Sequence, residues 1–289
     1  MTSIRLSACH PCHRRAPYIL PVVLAVVLAV TGVIASSGIA LAGDESTASA
    51  NAAASTRVFL PAVSYTDGSS DTGAHYETIP VAQQSPDGRP AALHGDLNLA
   101  LRGYTATSAT LGLIDYGGAT DSNAPQLAGI FSDRRLPGFA SAHRVYNWDW
   151  VCSADGCRGA PISYPPVTLL GLQTRLGEFL SIPSRAPEIY GGGYTALVVY
   201  AEETRLTVVY TREDSVANGY TAHLEKICVD PNLLALYRSA NAAGRGSLPG
   251  LRNGDVVGTA SGGEIAVAVR DRGWFADPRS AKDWWHTGQ

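Results

Sequence analysis

Lysine is nearly missing from this 289-residue chain: arginine and lysine together number 22, yet Lys226 and Lys282 are the only lysines. Proteins that carry biotin or lipoate hold the group on a lysine at a hairpin tip, and neither residue falls at an expected tight hairpin, so a carrier role is excluded. There is no run of basic residues able to follow a phosphate backbone, which removes nucleic acid from the expected partners. A G-x-S-x-G nucleophile elbow is also missing, and Ser, His and Asp in some order say nothing in a chain this rich in serine. No second C-x-x-C or nearby histidine pair completes four ligands around the cysteines, which argues against structural zinc. The acidic turn with Asp115, Asp121 and Asn123 lacks the D-x-[DN]-x-[DN]-G spacing of a calcium loop and reads as a turn.

What is present begins with a leader. Arg5, Arg14 and Arg15 precede an uncharged apolar run from Tyr18 to Ala42 that ends in Ala40-Leu41-Ala42, the order of a secretory signal with a small-residue cleavage site. The run is also long enough to span a bilayer, so an uncleaved anchor is the alternative; Ser36, Ser37 and Gly38 weaken its end and favour cleavage. Removing residues 1–42 takes away three arginines and no acid, leaving 19 basic against 25 acidic residues, a balance of −6. A secreted or cell-surface location follows, with membrane contact only through an uncleaved leader. Cys9-His-Pro-Cys12-His13 matches a c-type haem attachment pattern but precedes the apolar segment, so no haem or other cofactor is expected. In an oxidising exterior Cys152, Cys157 and Cys228 are disulfide candidates, with all three pairings open and one thiol left over.

Four segments follow from the pattern: the leader over 1–42, a largely disordered linker over 43–95, an N-terminal β segment over 96–150 and a larger β domain over 151–289. Leu97, Leu99 and Leu101 alternate with polar or small neighbours, which predicts a strand, and Thr110–Tyr116 predicts another. In Arg144–Trp150 the aromatics Tyr146, Trp148 and Trp150 share one face, placed either to stack on sugar rings or, more commonly, to cover a sheet seam. Val167–Leu172, Phe179–Pro183, Tyr194–Ala201, Arg205–Thr211 and Tyr220–Val229 read as strands, with a hairpin across Glu202-Glu203-Thr204. One helix interrupts them: Asp230 as N-cap, Pro231 at the first position, Leu233, Leu236, Tyr237 and Ala240 on one face, and Gly244 at the end. Asn253–Trp285 then reads as two strands joined by Ser261-Gly-Gly, the second half-buried over Glu264–Asp271, and a loop leading to Trp284-Trp285.

The order from Pro183 to Pro278 resembles the β core of the lysostaphin-type zinc endopeptidases, which cut peptide cross-links in bacterial cell walls. Thr221-Ala222-His223-Leu224 stands where that family has Y-A-H-L, Gly254-Asp-Val-Val-Gly258 where it has G-x-x-[IV]-G, and Gly262-Gly263 at its glycine turn. Glu264–Asp271 and Asp277-Pro278 match its H-L-H-F-E-[IV]-R-D strand and final D-P. The resemblance covers roughly a hundred residues and implies a mostly β, barrel-sandwich-hybrid-like domain, here with one inserted helix and a smaller β segment before it.

It also implies a lost metal site. The family's H-x-H falls on Glu264 and Ala266, alanine cannot ligate zinc, and 167–200 offers no histidine for the family's H-x-x-x-D. His223 corresponds to the second active-site histidine; it and Glu264 are the remaining catalytic candidates, with no metal expected. The expected function is therefore a secreted, non-catalytic module with a peptidase-like fold, possible partner a cell-wall or surface polymer, and with Trp274, Asp277, Arg279, Trp284 and Trp285 as the contact candidates. Packing of Trp284 and Trp285 onto the barrel is the plain alternative. The rival function is an active metal-dependent cell-wall hydrolase that joins His223 and Glu264 to a third ligand, Asp115, Asp149 or His143, brought close by folding.

Overall fold

The computed structural model describes residues 71–85 and 88–286. The leader, the Cys9-x-x-Cys12-His13 motif and the linker up to residue 70 lie outside the described residues. In chain order the strands are β1 Glu77–Pro80, β2 Tyr104–Ala106, β3 Phe139–Asp149, β4 Cys157–Pro161, β5 Leu169–Gln173, β6 Phe179–Ser181 and β7 Tyr194–Glu202. They continue with β8 Arg205–Val209, β9 Tyr220–Glu225, β10 Ile227–Val229, β11 Ser247–Arg252, β12 Val256–Ala260, β13 Glu264–Asp271 and β14 Trp274–Ala276. The helices are α1 Leu99–Arg102, α2 Pro231–Ala242 and α3 Ala281–Trp284.

The described strands form two antiparallel sheets. The larger runs β1-β11-β7-β8-β9-β13-β5-β3-β2, with β14 added to β13 and β4 to β3; the smaller runs β10-β12-β6. Leu170, Leu172, Leu224, Ile265, Val267 and Val269 on one face of the large sheet meet Leu180, Ile227, Val229, Val257 and Ala260 of the small one in a continuous core. The protein is thus mostly β with one substantial inserted helix, as the periodicity predicts. In α2, Asp230 accepts hydrogen bonds from Asn232 N (2.8 Å) and Leu233 N (3.3 Å), satisfying two donors of the first turn. Leu233, Leu234 and Tyr237 are its buried residues.

Five expectations are corrected. Segment 96–150 is not a separate β unit, because β3 pairs with β5 and continues the large sheet. Part of the expected linker is ordered: β1 pairs residue for residue with β11, and Ile79 is buried. The Leu97–Leu101 alternation does not make a strand, since the Asn98 side chain accepts from Ala100 N and starts the short α1, which Gly103 ends at φ 66. Thr110–Tyr116 contributes only an isolated bridge between Ile114 and Ser280. The strands around Ser261-Gly-Gly do not pair with each other either: β12 belongs to the small sheet and β13 to the large one, so the turn crosses the sandwich.

Candidate functional site

β13 was expected to be half-buried, yet both of its faces are covered. The reason lies in α1 and β14. Leu99 of α1 joins Val145, Leu169 and Phe275 from β3, β5 and β14 around Ala266 and Ala268 in a second, smaller core, so small side chains are what this face can hold. Ala266 occupies a position where the resemblance would require a ligand, and it is fully buried.

His223 sits beside this second core, opposite Ala268 on one neighbour and Thr207 on the other. It is fully buried, with Nδ1 3.0 Å from Thr207 Oγ1. The Thr207 hydroxyl donates its one hydrogen to Leu97 O at 2.7 Å, so Nδ1–H of His223 must be the donor to Thr207 Oγ1. That assigns the neutral Nδ1–H tautomer and leaves the Nε2 lone pair without a partner. Burial, and then the positive charges of Arg270 and Arg102, push its pKa well below the usual histidine value, while Asp96 opposes them.

Glu264 does not converge with His223. The two share a sheet face but lie four residues apart in register, about 13 Å along the strand. Glu264 instead accepts from Lys226 Nζ at 2.6 Å and Ser141 Oγ at 3.0 Å, and Ser141 Oγ lies 2.9 Å from His143 Nε2. With the hydroxyl hydrogen given to Glu264, His143 serves Ser141 as a donor rather than a base. Burial first, and then Lys226, lower the His143 pKa, against the pull of Glu264. Asp115 and Asp149 join neither histidine in a potential ligand group. Among the described residues the one group of three potential metal ligands close together is Asp149, Cys152 and Cys157, and its two sulphurs are bonded to each other. Of the three pairings left open, Cys152–Cys157 is the one formed, and Cys228 lies on β10 outside that bridge.

The five contact candidates divide. Trp274 is 82% exposed, whereas Asp277, Arg279, Trp284 and Trp285 are each 4% exposed. Arg279 and Asp277, two residues apart, clasp each other through Nε–Oδ1 at 2.9 Å and an end nitrogen to Oδ2 at 2.7 Å. The indole N–H groups of Trp284 and Trp285 donate to Asp277 O (2.9 Å) and Pro278 O (2.8 Å). These four residues close the C-terminal turn onto the core, which corrects their reading as an open contact surface.

Trp274 instead belongs to a cleft of 540 Å³ between the end of β3, the segment after β4 and the β13–β14 turn. Trp148, Trp150, Tyr164, Trp274 and Phe275 give it aromatic walls, and Asp96, Arg102, Arg270 and Arg272 line it as well. Two glycines seat Trp148: a Cβ on Gly95 would come within 2.5 Å of the indole, and one on Gly156 would strike its Nε1. Trp150 is held edge-on to His94 at 4.9 Å and under Arg89 at 4.7 Å. A second cleft, of 440 Å³, is lined by Arg134, Leu136, Arg185 and Trp285 among others.

Compared with protein-family models, curated proteins and solved structures, the chain gives no significant match. The site therefore has to be read from its own side chains. The aromatic alternation of β3 announced Trp148 and Trp150, but Tyr164, Asp96 and Arg102 carry no local pattern; only the sheet order brings them beside Trp274. The Arg270-Asp-Arg-Gly-Trp-Phe275 run was the available signal, since a hairpin turn at Arg272-Gly273 sets arginine and aromatic side chains around one opening.

Proposed function

We propose that this protein is a secreted or surface-associated non-catalytic module, a relative of the lysostaphin-type peptidase fold that has kept the β core and lost the metal chemistry, and that it binds cell-wall or surface polymer. The observation that carries this reading is the cleft beside Trp274. An indole left 82% exposed next to Tyr164, itself 76% exposed, offers the flat faces on which sugar rings stack. The disulfide fits an oxidising exterior, and the expected leader fits export. The filled face over Ala266 and Ala268 supports the non-catalytic part.

Retention of the full chain on insoluble cell wall and on surface glycan tests the proposal. Retention is expected, and Trp274→Ala should weaken it about tenfold or more, the effect of losing an aromatic anchor. Equal retention of wild type and variant would move the site elsewhere, and no retention on any polymer would overturn the reading. Purification without added metal should yield less than one zinc per ten chains; stoichiometric zinc would favour a hydrolase.

A further inference from the structure

The polymer-binding reading leaves open what kind of polymer, and the floor of the same cleft bears on that. Arg102 and Arg270 are 6% and 3% exposed, and both turn to the single carboxylate of Asp96. Burial of a charge is costly unless an opposite charge meets it, and here two guanidiniums share one. Burial and the neighbouring Arg102 outweigh Asp96 at Arg270, whose pKa falls to about 10. The Asp96 carboxyl is pushed up by burial but held below its usual range by Arg270 and Arg102.

Among the described residues Asp96 is the one acid paired with these two guanidiniums. Phe275 lies under both guanidiniums, 4.6 Å from Arg270 and 5.5 Å from Arg102, and its ring separates them from neutral His223. The remaining partners are backbone carbonyls. Arg102 donates to Gly95 O (2.7 Å) and Tyr146 O (3.1 Å), and Arg270 donates to Gly273 O (2.9 Å) and Asp96 O (3.4 Å). With its Asp96 bond included, Arg102 keeps two of its five N–H groups uncommitted among the described residues. Exposed Arg272 adds a third positive charge at the rim, on a residue held at φ 45 by the turn. In a chain of net charge −3 this cleft is locally positive.

We infer that the cleft is a subsite for an acidic glycan, with a carboxylate or phosphate on the sugar meeting Arg102, Arg270 and Arg272 while the ring stacks on Trp274. This rests on the polymer-binding reading and narrows it. An anion with delocalised oxygens suits the planar, multidentate donors of arginine, and its charge supplies what Asp96 alone does not.

The test uses the full chain and tryptophan fluorescence titration with three soluble polymers: polygalacturonate, the same polymer fully methyl-esterified, and a phosphomannan, whose phosphates are carried on sugar rings. At least tenfold tighter binding to one of the two anionic polymers than to the ester is expected, with that affinity falling as sodium chloride rises from 50 to 300 mM. Which anionic polymer wins separates a carboxylate from a phosphate. Arg270→Gln should abolish the preference; should that variant not fold, Arg272→Gln, at an exposed position, should reduce it threefold or more. Equal, salt-insensitive affinity for all three polymers, or no binding to either anionic one while cell wall or surface glycan still retains the chain, would overturn the acidic subsite and leave the polymer reading standing. No binding to these polymers, together with no retention on cell wall or surface glycan, would overturn both.

Discussion

Single residues in this protein show why the same sequence position can be essential to fold and silent in chemistry. Gly258, the last glycine of Gly254-Asp-Val-Val-Gly258, lies against the next strand so closely that an added Cβ would strike the Cys228 carbonyl oxygen, and backbone cannot yield as a side chain can. Gly258→Ala is expected to cost about 3 kcal/mol or more of stability, measured by urea denaturation, because it forces β10 and β12 apart. Thr207→Val makes a different point. It removes the hydroxyl that links His223 Nδ1–H to Leu97 O, orphaning a buried donor and a buried acceptor, and is expected to cost about 2 kcal/mol in the same assay.

Glu225 gives the residue scale its pH dependence. It is 5% exposed, and burial raises its pKa to about 7 from an ordinary 4.5, against the pull of Arg205 at 3.2 Å. A folded-state pKa above the unfolded one means that the group's contribution to stability is fully present below pH 4.5 and is lost as pH rises through about 7. The slope in that window is at most about 1.4 kcal/mol per pH unit for one proton. Glu225→Gln cannot ionise, so its melting temperature relative to wild type should rise between pH 5 and pH 8; thermal melts at both values check this, and a constant difference would contradict the burial argument.

At the scale of elements, the segment before β1 and the start of α2 depend on one carboxylate. Asp230 caps α2 and also accepts from Thr72 N at 2.8 Å and Thr72 Oγ1 at 2.6 Å. Asp230→Ala should therefore cost about 2 kcal/mol and speed hydrogen exchange in two places at once, the first turn of α2 and the amides near Thr72. Faster exchange in the helix alone would show that the Thr72 bonds contribute nothing. This helix was legible in the sequence because its signals are local: an acidic cap, a proline at the first position and an apolar stripe. The strands of the hairpin β7–β8, with Glu203-Thr204 as its turn, were legible for the same reason. Leu97–Leu101 was not, because alternation over five residues fits a strand until Arg102 is seen bonded to Gly95 O and Tyr146 O. The cleft was half legible: Trp274 and the β3 tryptophans stood out, while Asp96 and Arg102 join them only through the fold. Asp277, Arg279, Trp284 and Trp285 misled because tryptophan and arginine are as useful in closing a core as in recognition.

For the whole molecule the decisive arrangement is that strands from before and after residue 150 share one sheet. β3 hydrogen-bonds to β5, β5 to β13 and β13 to β9, with residues of both the earlier and the later strands in the larger core and in the smaller one. Cooperative unfolding follows from such continuity, since neither part keeps its buried face if the other is lost. The five tryptophans report on this directly: Trp148 and Trp150 lie at the end of β3 and just after it, Trp274 starts β14, and Trp284 and Trp285 lie at the end of α3 and just after it. A variant with Trp148→Phe and Trp150→Phe leaves fluorescence only in the later part. Guanidinium unfolding of both proteins is expected to give one transition, with the midpoint by fluorescence coinciding with that by far-ultraviolet circular dichroism in each. Separate midpoints would mean that the sheet parts at β3–β5, and the cleft, whose walls come from both sides of that seam, would then open before the core does.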